Sequence, residues 1–571
     1  MGVMLAGTTV LASCSSDYLE VGPTESTSKE LALGNTSNLY KVLNGIAKEM
    51  STQQYYYGQG FAGENAIMRL YENLPSQNFN YNYYASGWAP LHNQTFHERK
   101  TTIYNNYAWF YYYQLIASAN AVICNVDKAE GSEADKQFVK ASALTYRAYA
   151  YQKLVNYYCY RWQDSNNGTS NGVVLRLDES TGDLPLSTLG DTYAQIYKDL
   201  DDAISLFEKS GLNRPSGRVW LANEDVAHSV YARAALTKQD YQKALTEAQL
   251  ARKNHPLMSQ TDYQAGFCAP NNEWIMGSYG DASENNWYWS FGVQGACNGY
   301  YSNSVGTGAG SINHELIQRI PNNDVRKQVF ITEDKIPYFV DIKKALADSL
   351  ASYKEKDGAD AAKFAKDSLD QVKAYKTNYA NGVDQTYGLL GFDIDEVWNQ
   401  ADSVVKAHTP QGMDAAYQCG YIYLDGQLKF WVTSQPGVSY VPFIRSAEMY
   451  LIEAEANYFL GNETEAQKVL TELNQARNAD YTCTKTGKDL FEEIKDYRAL
   501  ELWGEGFEWS DYKRWNISVV RHSFAEGGNA HPAVAKTIAP DFGNRWTWVI
   551  PQAETDYNAL LKNADASKKD M

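Results

Sequence analysis

Apolar positions recur at intervals of three and four residues along several long segments of the first half of the chain, between residues 39 and 250. This spacing places side chains on one face of an α-helix. One segment covers residues 103–126 and another covers residues 138–158. One face of the first carries Trp109, Tyr113, Ile116, Asn120 and Ile123. The pattern therefore predicts a mainly α-helical fold.

Two shorter segments, residues 222–236 and 241–251, are separated by a polar turn at residues 238–240. A helix, a tight polar turn and an alanine-rich second helix resemble one tetratricopeptide repeat unit. The same arrangement returns at residues 443–460 and 463–477, where Gly461 is placed to end one helix and Asn462 to cap the next. Because these units are far apart in sequence, we expect a bundle of helix pairs that both ends of the chain build.

The middle of the chain has a different pattern. Between residues 256 and 310 the helical spacing disappears, and Gly, Asn, Ser and aromatic residues dominate, as in loops and short strands. Residues 341–379 are rich in Ala, Lys and Asp, which predicts an exposed helical insertion. The predicted organisation is a signal segment at 1–13, an N-terminal helical region at 14–255, a loop-rich candidate ligand-binding lobe at 256–340, the insertion at 341–379 and a C-terminal region at 380–571.

The first residues have the form of a short secretory signal. Residues 1–12 are small and apolar, Cys14 follows, and the chain turns polar at residues 15–17. Leu11-Ala12-Ser13-Cys14 resembles the lipobox of bacterial lipoproteins, in which the cysteine is diacylated. The segment is too short to span a bilayer, and no later stretch has the roughly 18 consecutive apolar residues that a transmembrane helix needs. We therefore expect Cys14 to carry a lipid anchor; the alternative is an apolar N-terminus with an incidental cysteine.

Composition narrows the choice of partners. The 571 residues carry a formal net charge of -17, which argues against nucleic acid, because affinity for phosphates comes mainly from Lys and Arg. The 44 Tyr and 14 Trp outweigh 19 Phe, and rings with a polar handle suit wet binding surfaces. Seven cysteines without a C-x-x-C pair indicate neither a disulfide framework nor a zinc site.

Motifs for catalysis are weak or missing. Gly58, Gly60 and Gly63 form G-x-G-x-x-G, but three tyrosines precede them in place of an apolar strand, which favours an aromatic loop over a dinucleotide site. The eight histidines include no H-E-x-x-H, so we expect no metal and no cofactor. Glycoside hydrolysis needs two carboxylates on opposite sides of one bond, and 68 acidic residues leave that alternative open.

Several segments together resemble the SusD/RagB family. Trp109, Tyr113, Ile116 and Asn120 look like its W-x3-Y-x2-I-x3-N helix. Further similar segments are Arg147-Ala148-Tyr149, residues 218–236, residues 445–460 and Ile550-Pro551-Gln552-Ala553-Glu554. The densest match is the set Arg498, Glu501, Leu502, Glu505, Gly506, Phe507, Trp509, Asp511, Arg514 and Trp515. Glu508, where the family more often has a basic residue, and the insertion at 341–379 depart from the pattern.

The resemblance implies tetratricopeptide-like helix pairs and a loop-rich lobe that binds the ligand. It implies a Gram-negative outer-membrane lipoprotein that faces the medium, captures an oligosaccharide or polysaccharide and delivers it to a SusC-like TonB-dependent transporter, with no bond made or broken. The alternatives are an extracellular glycoside hydrolase and a helical-repeat scaffold without sugar affinity. Arg498, Glu501, Trp509 and Trp515 are expected to be scaffold residues.

Candidate sugar-binding residues follow from composition alone. Sugars stack on aromatic rings and bond through their hydroxyl groups, and two Gly- and Asn-rich loops, residues 78–93 and 285–301, concentrate suitable side chains. The candidates are Tyr83, Trp88 and Asn93 in the first loop and Trp287, Tyr288, Trp289 and Tyr300 in the second. Aromatic residues outside a helical period favour exposed platforms; the alternative is that half of them pack against the bundle.

Overall fold

The computed structural model describes residues 33–53, 57, 61–80, 89–279, 291, 295–299, 310–332, 425–432, 440–522, 526–530, 534–540 and 546–561. The signal segment with Cys14 and the expected insertion at 341–379 lie outside these residues.

The described part of the chain is mainly helical, so the predicted fold class is confirmed. The α-helices are α1 Thr36–Glu49, α2 Gly63–Ala66 (continued by a π-helix, Ile67–Asn73), α3 Ala89–His92, α4 Ile103–Asn125, α5 Glu133–Tyr158, α6 Leu189–Ser210, α7 Glu224–Lys238, α8 Tyr241–Arg252, α9 Gln260–Tyr263, α10 His314–Gln318, α11 Val325–Gln328, α12 Ser446–Phe459, α13 Glu463–Gln475, α14 Gly487–Glu501, α15 Glu508–Trp515 and α16 Gln552–Tyr557. Short 3-10 helices are Phe96–Glu98, Val126–Lys128, Trp162–Asp164 and Ala559–Leu561.

The described strands are short and lie between and around the helices. They are β1 Phe79–Asn80, β2 Asn171–Val174, β3 Leu186–Thr188, β4 Trp274–Gly277, β5 Ser311–Ile312, β6 Phe330–Ile331, β7 Gly426–Gln427, β8 Pro442–Arg445, β9 Val519–Val520 and β10 Thr537–Ile538. They form one four-stranded sheet in the order β1-β5-β7-β6 and three two-stranded sheets, β2-β3, β4-β8 and β9-β10.

Local capping explains where the predicted helices begin. Helix α5 starts at Glu133, five residues before the predicted start at 138, because the Ser132 hydroxyl accepts the backbone N–H of Asp135 at 3.1 Å. Helix α7 starts at Glu224 and not at 222, because the Asn223 side chain caps it by accepting the N–H of Val226 at 3.2 Å. Such caps satisfy backbone donors that the first helical turn leaves unpaired.

Two details of the C-terminal helix pair differ from the prediction. Residues 443–445, predicted as helix, form strand β8, which pairs with β4 through Arg445 opposite Trp274, so α12 begins only at Ser446. Long-range strand pairing overrides the local helical pattern here. Gly461 ends the first helix with a φ of +80°, as predicted, but the Asn462 side chain makes no capping hydrogen bond to α13.

The two helix pairs pack against each other through α8 and α12, which confirms a bundle assembled from both ends of the chain. Arg252 on α8 forms an ion pair with Glu453 on α12, with 2.9 Å between Nε and Oε2. The rings of Tyr241 and Phe459 stack with centroids 4.5 Å apart. Arg233 on α7 adds a second link, because its guanidinium contacts both carboxylate oxygens of Glu448 at 2.6 and 2.7 Å.

The motif residues of the first half tie α4, α5 and α6 together. Arg147 on α5 donates to both carboxylate oxygens of Asp199 on α6, at 2.6 and 2.8 Å, and to the Asn120 amide oxygen on α4 at 2.9 Å. Trp109 on α4 donates through its indole N–H to Glu554 of α16 at 3.1 Å. The first and last of the matched motifs are therefore in direct contact.

A cluster of buried ionisable side chains, here called the charge cluster, joins distant parts of the second half. Every member is at most 2% exposed. The cations are Arg326, Lys429, Arg445 and Arg477, and the carboxylates are Glu273, Asp324, Glu501 and Glu505. Four positive and four negative groups leave no net charge to be buried, which is the condition under which charges are tolerated away from water.

Glu501 lies at the centre of the charge cluster. Its Oε1 accepts from Arg445 at 2.7 Å and from Arg477 at 3.0 Å, and its Oε2 accepts from Arg326 at 3.2 Å. Burial by itself would raise the pKa of this carboxyl, but the three guanidinium groups hold the pKa of Glu501 well below its ordinary value. Glu501 is therefore a buried counter-charge for three different segments.

The expected scaffold role of the C-terminal motif is confirmed by its burial. Arg498 is 3% exposed and forms an ion pair with Asp511 on α15 at 2.6 Å. Trp509 is fully buried, and the half-buried Trp515 donates its indole N–H to Glu455 on α12 at 3.0 Å. These side chains hold α14 and α15 against the bundle.

Candidate functional site

The four-stranded sheet pairs residues at the start of the first aromatic loop with residues that follow the second in the sequence. In its first pair, Asn80 at the end of β1 lies opposite Ser311 at the start of β5. Asn80 immediately precedes residues 81–88 of the first loop, and Ser311 stands ten residues after the end of the second loop at residue 301. One register pair therefore brings together two segments that are some 230 residues apart in sequence.

The Asn529 side chain is hydrogen-bonded to both strands of this register pair. Its side-chain amide donates to the Ile312 carbonyl oxygen at 2.7 Å and to Asp425 Oδ2 at 3.1 Å. Its amide oxygen accepts from Asn80 Nδ2 at 3.0 Å and from the backbone N–H of His314 at 3.2 Å. A single buried amide thus joins β1, β5 and the residue that precedes β7, which makes the position of each strand end depend on the others.

A histidine and a carboxylate contact Asn529 and each other. His314 Nδ1 lies 2.7 Å from Asp425 Oδ2, and the Asp425 side chain is fully buried. We refer to Asn80, Ser311, His314, Asp425 and Asn529 as the loop base. Its groups are joined by hydrogen bonds, which fix the ends of β1 and β5 relative to each other.

Two described residues of the second loop contact the segment that follows β7 of the same sheet. The Phe291 ring packs on Phe430 with centroids 5.1 Å apart, and the Phe430 N–H donates to the Gln427 side chain of β7 at 2.8 Å. Asn298 exchanges two hydrogen bonds with Val432, at 2.7 and 3.0 Å. Phe291 and Asn298, which stand between residues 280–290 and residues 300–309, are therefore anchored to the segment that follows β7.

Most of the candidate sugar-binding residues lie outside the described part of the chain. They are Tyr83, Trp88, Trp287, Tyr288, Trp289 and Tyr300. Asn93 is described; it follows α3, is half-buried, and its amide oxygen is shielded from solvent without a hydrogen-bond partner among the described residues. The structure thus describes the base from which these loops start, and their contact with a ligand stays a prediction.

The sequence analysis did not select the loop base. His314, Asp425 and Asn529 stand in no recognisable motif, and their significance comes from contacts across more than a hundred residues. Asp425 carries one signal, a positive φ of 58°, but only the structure shows it. A polar residue in an Asn- and Gly-rich region is ordinary loop composition, so the sequence had no means of separating these from their neighbours.

Two other kinds of site are missing from the described ranges. Within those ranges no helix is long and apolar enough to cross a membrane. Over the same residues no group of three His, Cys, Asp or Glu side chains is arranged to hold a metal ion.

Known protein families were compared with the chain. The profile of the SusD family matches residues 252–566, and a SusD-like profile described as starch-binding and associating with the outer membrane matches residues 17–261. No curated protein is significantly similar to this chain.

Solved structures share the fold. A SusD-like carbohydrate binding protein from Bacteroides vulgatus superposes with a TM-score of 0.67 at 20% identity, covering 92% of this chain and 97% of that one. A putative sugar binding protein from the same species gives a TM-score of 0.65 at 20% identity, with coverages of 92% and 97%. A SusD superfamily protein from Bacteroides thetaiotaomicron gives 0.63 at 18% identity, with coverages of 92% and 98%. The SusD profile spans more than half of the chain, and the observed bundle is the one that these structures share: the protein belongs to the SusD family.

Proposed function

We propose that this protein captures an oligosaccharide or polysaccharide at the outer face of the outer membrane and passes it to a SusC-like TonB-dependent transporter. The family membership supports a carbohydrate-binding role, because similar structures include a carbohydrate binding protein and a sugar binding protein. The description of the N-terminal profile supports an outer-membrane setting. Binding without chemistry is sufficient for this task.

The observation that carries the proposal is the register pair Asn80–Ser311. Trp88 stands eight residues after Asn80, and Tyr300 stands eleven residues before Ser311. A chain of eight residues reaches at most about 29 Å, so the register pair leaves the side chains of both loops free to contribute to one site. Aromatic rings, with the Asn and Tyr side chains of the same loops, would supply the stacking surface and the hydroxyl partners that a sugar chain needs.

Replacing Trp88 or Trp287 with alanine should weaken glycan binding without changing the fold. A ring that stacks on a ligand contributes roughly 1 to 3 kcal/mol, by analogy with base stacking, which corresponds to a factor of about 5 to 150 in affinity. The full chain carrying Cys14→Ala, which prevents acylation, would first be screened on a glycan array that includes starch-derived oligosaccharides. Calorimetry with the best ligand would then compare the variants.

Trp162→Ala is the matched control, because Trp162 is a half-buried tryptophan that packs on Tyr193 of α6 and belongs to neither candidate loop. Equal affinities for all the proteins, with unchanged circular dichroism, would place the ligand elsewhere. Release of new reducing ends during the incubation would favour a glycoside hydrolase. A failure of every glycan to bind would favour the scaffold without sugar affinity.

Replacing Cys14 with alanine should release the protein from the outer membrane. The proposal rests on the lipobox-like Leu11-Ala12-Ser13-Cys14, whose cysteine would carry the acyl chains. Metabolic labelling with a palmitate analogue and membrane fractionation measure both consequences, and Cys124→Ala serves as a control in the same cells. Continued labelling and membrane association of Cys14→Ala would rule out this anchor.

A transporter barrel should co-purify with the protein from native cells. A binder that a lipid holds at the surface has no route across the bilayer, and holding the glycan beside a pore raises its effective concentration without very tight binding. A stable interface would bury more than about 1,000 Å². Mild detergent extraction, a tag at Met571 and mass spectrometry test this with a glycan inducer present; recovery of the protein alone would contradict the transfer step.

A further inference from the structure

A small cavity, here called the junction cavity, lies where α5 and α7 of the first half of the chain meet α12, α14 and α15 of the second half. Its volume is about 40 Å³, roughly three times the space that one water molecule requires. It is far smaller than the usual small-molecule sites of about 300 Å³ or more, so it has room for a small ion and not for a sugar. The charged side chains of its wall are Lys153, Arg233, Glu448, Arg498, Asp511 and Arg514.

The Lys153 side chain on α5 lacks an acceptor for its ammonium group. The residue is 7% exposed, and among the described residues it forms neither a hydrogen bond nor an ion pair. The Tyr149 ring lies near it, with its centroid 5.9 Å from Nζ. Burial without a partner is strongly unfavourable for an ammonium group, because three N–H donors and a full charge lose water. The cavity beside Lys153 therefore favours an occupant that accepts hydrogen bonds.

The other cations of the wall have carboxylate partners. Arg233 contacts both carboxylate oxygens of Glu448, at 2.6 and 2.7 Å. Arg498 donates through Nε to Asp511 Oδ2 at 2.6 Å, and Arg514 donates through Nε to Asp511 Oδ1 at 2.8 Å. One carboxylate is thus shared by two guanidinium groups. On the wall itself four cations face two carboxylates, and Lys153 is the cation that neither carboxylate contacts.

Further buried carboxyl groups lie near the wall, and none of those in the described ranges bonds to Lys153. They are Glu64, Glu72 and Glu455. Glu455 forms an ion pair with Arg514. Glu72 accepts its hydrogen bonds from Tyr157 and Ser510, at 2.5 and 2.7 Å. Burial raises the pKa of Glu72, which weakens it as a counter-charge, and the charge of Lys153 opposes that rise. Lys153 therefore has no directly bonded counter-charge.

We propose that the junction cavity binds a small monovalent anion, of the size of chloride, against the ammonium group of Lys153. The anion accepts hydrogen bonds from Lys153 and supplies the counter-charge that this side chain lacks. The excess of cations on the wall favours an anion over a water molecule in the same space. Because the wall comes from both halves of the chain, the bound anion stabilises their packing against each other. This role is independent of glycan capture.

Bromide replaces chloride as the probe in a crystallographic test, because its anomalous scattering marks the positions of halide ions. Crystals of the full chain carrying Cys14→Ala, grown in sodium bromide, should show an anomalous peak beside Lys153 Nζ. Lys153→Met keeps the length of the side chain and removes its charge, so the peak should be lost. Lys140→Met is the matched control, because Lys140 lies on the same helix and its ammonium group already pairs with Asp127 at 2.7 Å. This control should keep the peak.

Thermal unfolding in sodium chloride and in sodium methanesulfonate, at equal ionic strength so that screening is the same, measures the effect in solution. Above the dissociation constant, each tenfold increase in chloride should raise the unfolding midpoint by about 1 °C for a chain of this length. Lys140→Met should respond in the same way, and Lys153→Met should not respond.

A cavity that holds only water in bromide crystals would overturn the proposal. So would an equal chloride response of Lys153→Met and the parent protein. A bromide peak without a chloride response would mean an adventitious ion only, and the proposal would be wrong. If Lys153→Met does not fold, the bromide peak and the chloride response of the parent protein decide between these outcomes.

Discussion

Replacing Glu501 with glutamine should lower the free energy of unfolding by about 3 to 5 kcal/mol, the usual cost of removing one partner from a buried ion pair. Glutamine keeps the size and shape of the side chain but removes its charge. Arg326, Arg445 and Arg477 then share three carboxylates with Lys429 in a region that is almost free of water. The charged groups of the cluster come from segments between Glu273 and Glu505. We therefore expect the loss of stability to affect the whole second half of the chain.

Urea unfolding followed by circular dichroism measures this change, and the same helix provides the control. Glu492 on α14 has a side chain that is 66% exposed and pairs with Lys495 one turn away. Glu492→Gln should change the unfolding free energy by less than about 0.5 kcal/mol, as is usual at exposed ion pairs. The difference between the two variants should persist in 1 M salt, because buried charges are screened little. A Glu501→Gln protein within 1 kcal/mol of the wild type would show that the charge cluster is not needed for stability.

Replacing Glu508 with glutamine should stabilise the protein at alkaline pH and leave it unchanged in acid. Burial raises the pKa of Glu508 from 4.5 to about 8, and the neighbouring Asp511 adds to the rise, whereas hydrogen bonds to Ser76 and Asn78 and the charge of Arg521 oppose it. The folded protein therefore keeps a proton on Glu508 that the unfolded chain releases above pH 4.5. Wild-type stability should decrease between about pH 4.5 and pH 8 relative to the variant.

The full shift sets an upper limit of about 5 kcal/mol at pH 9, and we expect on the order of 3 kcal/mol, because a buried site relaxes around a charge. Chemical unfolding of Glu508→Gln and wild type at pH 4 and pH 9 measures the difference. Lys429, whose pKa burial lowers to about 8, titrates in both proteins, so its contribution cancels. Glu465→Gln, at an exposed first-turn glutamate of α13, should show no such dependence. A constant difference between the two pH values would mean that Glu508 is ionised in the folded protein.

Glu508 illustrates which features could be predicted from the sequence and which could not. Its departure from the family pattern was visible, but its environment was not, because burial beside Asn78 and Tyr512 depends on the packing of α15 against residues 76–78. Likewise, Arg498 and Glu501 were expected to be scaffold residues from their spacing. The partners that make Glu501 a shared counter-charge come from the segments around Arg326 and Arg445, and no local pattern connects those segments to α14.

The sequence by itself determined the helical class, the helix pairs at both ends and the family, because helical spacing, caps and motifs are properties of neighbouring residues. It also placed the aromatic side chains in two Gly- and Asn-rich loops. The helical spacing wrongly predicted helix for residues 443–445, because the strand pairing with β4 joins positions far apart in the chain. Only the tertiary structure decided that Asn80 and Ser311 lie opposite each other and that Asn529 joins their strands. Register, burial and charge balance are sums over contacts between distant segments, and those contacts exist only once the chain has folded.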